Sequence, residues 1–144
     1  MLIEKLKEVS ENRKFKFEIG DEDWHNLIDA NDDMSLPFHE RQVYLLTFTD
    51  EEEFIYDGYG IQVEKYHCVF LLAVRSRLTD PNYQYKYDNH IKPLKDLAKT
   101  IRDEDFSLCD GITLKSYKIG SWKENYLDAN FDCVEVKISI EYDG

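Results

Sequence analysis

Apolar residues along this chain change their spacing several times, and each change marks an element. Leu2, Ile3, Leu6 and Val9 recur three or four apart, with Glu4, Lys5, Lys7 and Glu8 between them, which predicts an amphipathic helix over residues 2–11. In "KFKFEIG" the period drops to two, placing Phe15, Phe17 and Ile19 on one side of a short strand closed by Gly20. Asp21 is positioned to cap a short helical turn through "EDWHNLIDAN", with Trp24, Leu27 and Ile28 on its inner stripe. "DDMSLPF" reads as loop, and "VYLLTFT" (43–49) as a strand apolar enough to be covered on both faces. After the acids Asp50 to Glu53, "FIYDGYGIQVEKYHCVFLLAVRSRL" predicts a hairpin arm at about residues 48–66, punctuated by Gly58 and Gly60. Its return strand runs from Tyr66 to Arg77. "CVFLLAV" belongs mid-sheet, and Arg75 and Arg77 are expected where the strand emerges into water.

Beyond a turn at "TDPN", Ile91, Leu94, Leu97, Ala98 and Ile101 form the stripe of a second helix. Pro93 inside a helix would cost about 3 kcal/mol. The favoured start therefore has Asn89 as cap and Pro93 in the first turn, where backbone N–H groups lack intrahelical partners. The alternative is a kinked, longer helix from about Asn82. "CDG" reads as a turn, "ITLKSYKIG" as a strand and "SWKENYLDANFD" as a connecting loop. The terminal "VEVKISIEYDG" alternates Val134, Val136, Ile138, Ile140 and Tyr142 against Glu135, Lys137, Ser139, Glu141 and Asp143, the cleanest half-buried strand in the chain. It is the candidate edge for docking another chain. The expected fold is α+β: a four- or five-stranded mainly antiparallel sheet, two helices packed on one face and a protruding hairpin, in a single domain over residues 1–144.

A net charge of −12 argues against specific nucleic-acid binding, which draws its affinity from Lys and Arg on phosphates. The charge is uneven: residues 75–102 carry seven basic and three acidic side chains within an otherwise acidic chain. No apolar run is long enough to cross a bilayer, so no membrane partner is expected, and the N-terminus lacks the pattern of a signal peptide. Cys68, Cys109 and Cys133 are odd in number without C-x-x-C spacing, which fits free thiols in a reducing compartment.

Chemistry is sparse. His25, His39, His67 and His90 show no metal-binding spacing, and the acid clusters at 21–23, 32–33 and 50–53 lack a calcium-loop pattern. No phosphate-binding or nucleophile-elbow glycine motif occurs. His67 and Cys68 are adjacent, but neighbours on a strand face opposite ways, so Cys68 reads as a core thiol. No catalytic residue, cofactor or metal is expected.

The remaining signals concern surfaces. Tyr83, Tyr85 and Tyr87 alternate in "PNYQYKYDNH" and would present three phenols on one side if extended. Asp50, Glu51, Glu52, Glu53, Phe54, Tyr56 and Tyr59 mix acids with aromatics in the arm, while Lys92, Lys95, Lys99 and Arg102 make a basic helix face. These fourteen residues are the candidate interface.

The order of elements resembles the tail-terminator and neck-ring proteins of tailed bacteriophages. It does so through the leading amphipathic helix, the long hairpin, the central "YHCVFLLAV", the helix "HIKPLKDLAKTI" and the closing "DANFDCVEVKISIEYD". The resemblance implies a non-enzymatic virion subunit at the head–tail junction or tail terminus. Such a subunit forms a ring with copies of itself, contacts neighbouring portal, connector or tail proteins, and resides in host cytoplasm before assembly. DNA would pass through the lumen without specific binding. Ring contacts pair two different patches, a role suited to the basic helix and acidic arm. A different reading is a small acidic adaptor or inhibitor that binds one basic partner.

Overall fold

The computed structural model describes residues 2–20, 36–48, 50–60, 62–76, 83–106, 111–120, 123–126 and 131–142. The expected turn at Asp21 with Trp24, Leu27 and Ile28, the acids at 21–23 and 32–33, the "TDPN" turn, Arg77 and Cys109 lie outside them.

The architecture is α+β. Helix α1 (Leu2–Arg13) buries Leu2, Leu6 and Val9, the expected stripe. It ends where Lys14 takes a positive φ of 62° and the Phe15 N–H donates back to the Ser10 carbonyl at 2.8 Å. The strands are β1 (Lys16–Ile19), β2 (Tyr44–Thr47), β3 (Glu51–Tyr56), β4 (Gln62–Arg75), β5 (Ile112–Ile119), β6 (Lys123–Tyr126) and β7 (Phe131–Tyr142). They form one seven-stranded sheet whose path is β1-β2-β4-β7-β5, with β3 beside β4 and β6 beside β7.

The sheet is thus larger than the four or five strands expected, for an identifiable reason. Two ranks are each broken in two. β2 and β3 both lie along β4, pairing with residues 70–73 and 62–67, and β5 and β6 both lie along β7. The segment read as a connecting loop contains β6. The sheet is also mixed, because β1 and β2 run parallel, joined by the long connection through residues 20–43.

The terminal strand β7 is not an edge. It is paired with β4 over Glu64–Arg75 on one side and with β5 and β6 on the other, which corrects its reading as a docking edge. Its order follows from this central position.

Alternation divides the sheet into two faces. Leu45, Phe70, Leu72, Val134, Val136 and Ile138 share one core cluster with Leu2 and Leu6 of α1 and with Leu94, Ala98 and Ile101 of the second helix. Tyr44, Leu46, Leu71, Ala73, Phe131 and Cys133 form a smaller cluster on the other side. That arrangement buries all four residues of β2, as its apolar run requires.

The second helix, α2, is continuous over residues 83–106 and starts earlier than the favoured Asn89 cap. Pro93 is accommodated by a widened turn at Tyr87–Ile91, whose closing bond runs from the Lys92 N–H to the Tyr87 carbonyl. A bond five residues back replaces the usual ladder where the proline ring would collide with it. The Asn89 side chain donates to the Tyr85 carbonyl at 2.9 Å instead of capping a helix. A second widened turn, Arg102–Phe106, ends α2 and buries Phe106.

Candidate functional site

The arm is the hairpin of β3 and the start of β4. Glu51 to Tyr56 pair with His67 back to Gln62, and the turn uses Gly58 and Gly60 at φ of 84° and 91°, where a side chain would be strained. The Asp57 carboxylate accepts a 2.7 Å hydrogen bond from the Tyr59 N–H, fixing the tip. Every residue of β3 is exposed, among them Phe54, Ile55 and Tyr56, and Tyr59 at the tip is 92% exposed. Among the described residues β7 pairs with β4 as far as Tyr142 opposite Glu64, so Ile55, Tyr56 and the tip of the hairpin lie beyond that pairing. Four large apolar side chains therefore stand in water with four neighbouring acids, Asp50 to Glu53.

The other predicted interface residues are divided differently. The period-two tyrosines fall on a helix and not on the extended chain that would line up three phenols. Tyr85 is exposed, whereas Tyr87 packs against the main core. Lys95 lies over the Tyr87 ring with its ammonium 5.7 Å from the centroid. Lys92 and Lys99 are exposed. Arg102 donates to the Asp103 carboxylate at 2.8 Å, and that hydrogen bond both raises the arginine pKa and lowers that of Asp103. Lys92 and Lys99 thus stand exposed, with Lys95 half-buried between them on the same side of the helix.

Arg75 does not emerge into water. It is 7% exposed, its guanidinium 4.9 Å from the Phe131 ring centroid. Around it lies a polar cluster the sequence reading missed. Asp132 is fully buried and its Oδ2 stands 2.8 Å from His90 Nδ1, with Lys86 Nζ 3.9 Å from Oδ1. Arg41 Nη1 is 2.6 Å from His90 Nε2, and its other nitrogen donates to the Arg75 carbonyl. Arginine can only donate, so Nε2 accepts and the imidazole proton sits on Nδ1, directed at Asp132. Both ring nitrogens are engaged. The cluster fastens α2 to the ends of β4 and β7.

A second arrangement lies on the face of the sheet opposite the main core. Register aligns Glu51, His67, Ser139 and Ser116 in one row across β3, β4, β7 and β5, and Val69, Lys137 and Lys118 in the next. His67 Nδ1 is 2.6 Å from Ser139 Oγ, and Glu53 Oε1 is 3.9 Å from His67 Nε2. The two rows and Phe48 line a cavity of about 440 Å³. Its β5 wall depends on a bulge between Leu114 and Ser116. That extra residue flips the phase of the strand, sending Tyr117 to the core, where its hydroxyl donates to the Ala98 carbonyl at 2.7 Å, and Ser116 and Lys118 to the open side. The slip is visible in "ITLKSYKIG", where apolar alternation breaks at Lys115–Ser116.

Cys68 faces away from this row, with Sγ 3.1 Å from Thr47 Oγ1, and burial pushes its thiol pKa up. It is a core thiol, as is Cys133. Among the described residues no group of three or more His, Cys, Asp and Glu is placed to hold a metal ion. Compared with known proteins, the chain matches no family model and no curated sequence.

Proposed function

We propose that this chain is a structural, non-enzymatic subunit that assembles with copies of itself into a ring. Such a ring would stand at the head–tail junction or tail terminus of a bacteriophage virion, joining portal or connector to tail. The subunit would wait in host cytoplasm before assembly and let DNA pass through an acidic lumen by repulsion. In this reading both helices cover one face of the sheet and the arm reaches toward the neighbouring subunit.

The observation that carries the proposal is the fully exposed β3 strand with Phe54, Ile55 and Tyr56 beside Tyr59 at the tip. A projecting hairpin with apolar side chains has no core of its own to bury them, whereas a neighbour supplies one. The acids at its root suit the helix face that carries Lys92, Lys95 and Lys99 on the next subunit, giving the two-patch contact that closes rings.

The test is a double variant, Phe54→Ser with Tyr56→Ser, followed by sedimentation beside the wild type. Both residues are surface residues, so thermal unfolding should stay within about 0.5 kcal/mol of wild type while the oligomer is lost. An unchanged oligomer would reject the arm as the assembly contact. A wild type that sediments as a single copy and binds one basic partner would favour the adaptor reading.

A further inference from the structure

We propose that the cavity over β4, β7 and β5 binds a small phosphate-type oxyanion, free or as a monoester, through Lys118, Lys137, Ser116 and Ser139. Lys137 and Lys118 are register partners, directly opposite each other on the open side of the sheet. Side chains so placed lie with Cβ atoms about 5 Å apart, where like charges repel. Lys137 has only a long contact of 3.9 Å to Glu135 Oε1, and Lys118 makes no ion pair with another described residue. The repulsion persists in a chain with carboxylates to spare, and an anion between the two ammonium groups removes it.

The neighbouring row supplies what an oxyanion needs besides charge. Ser116 and Ser139 are also register partners, two residues along from the lysines in the next row on the same face, and both line the cavity. Ser139 is held at 2.6 Å by His67, which fixes its hydroxyl at the cavity floor. Glu51 and Glu53 sit at the β3 end, beyond His67, so the cavity is acidic on one side and basic on the other. An oxyanion therefore seats at the β5 end, and the organic part of a monoester extends over Phe48 and Val69. The inference does not rest on the ring proposal.

Titration calorimetry of the full chain at low ionic strength, with inorganic phosphate and with phenyl phosphate as probes, tests it. Saturable binding of either probe is expected, weakened about tenfold or more in Lys118→Ala, as for loss of one charged hydrogen-bonding group. Lys7→Ala, which removes an exposed lysine of α1 outside both the cavity and the proposed assembly contact, should leave binding unchanged. Tighter binding of phenyl phosphate identifies a monoester site, and equal binding identifies a site for the ion itself. Absence of binding to both probes, or equal weakening by Lys7→Ala and Lys118→Ala, overturns the proposal.

Discussion

Asp132 occupies a phase of β7 that belongs to the core. It precedes Val134 and Val136 on the same side of the strand and is fully buried. A carboxylate there is tolerable with partners, and His90 and Lys86 reach it from α2. Removing it takes a buried carboxylate away from His90 and Lys86, so Asp132→Ala should destabilise the protein by about 3–5 kcal/mol. A lowered denaturation midpoint with an unchanged denaturant slope would verify this. The cluster was missed because Asp132 fell in the segment read as a connecting loop, so its apolar phase on β7 was not visible. The partner's identity was not legible either, because His90 lies far away in sequence and meets Asp132 only after α2 packs across β7. The same holds for His67 and Ser139. Each sits on the expected wet side of its strand, but their pairing depends on register, which a single strand's alternation does not specify.

Where elements depart from simple periodicity, one extra residue is usually responsible. Pro93 is absorbed by a widened turn in α2, and the bulge in β5 turns Tyr117 under the helix. Burial raises the Tyr117 pKa above its ordinary value of 10.0, an effect that Arg102 partly offsets. An acid with a raised folded pKa keeps its proton longer in the native state than in the unfolded chain. Its contribution is complete below about pH 10 and is lost as pH rises beyond it. Stability should therefore fall as pH rises above about 10, and less steeply in Tyr117→Phe, which at neutral pH should lose only about 1 kcal/mol with the hydrogen bond to Ala98. Denaturation midpoints across that range provide the check, and equal slopes in the two proteins would contradict it. Helix α1, the central run of β4 and the alternation of β7 were plain in the sequence because a single face is buried throughout each. The breaks that turn five ranks into seven strands were not, since a bend changes neither residue type nor period.

Across the whole molecule, burial and charge are segregated. The two core clusters lie either side of the paired centre of β4 and β7, while the arm, the outer face of α2 and the rows above β7 remain open to water. The acidic and apolar character of the arm could be read directly from "EEEFIYDGYG", because a glycine-punctuated hairpin tip cannot reach the core. The central place of β7 could not, because nothing in an alternating strand distinguishes one paired neighbour from two. That placement removes the C-terminal strand as a docking edge and leaves the arm, expected from the start, to carry the prediction for assembly. The most direct measurement is electron microscopy of the purified chain at high concentration, with particle mass determined on the same sample. The account predicts closed rings of uniform subunit number that disappear in Phe54→Ser with Tyr56→Ser. Single-copy particles at every concentration would contradict it.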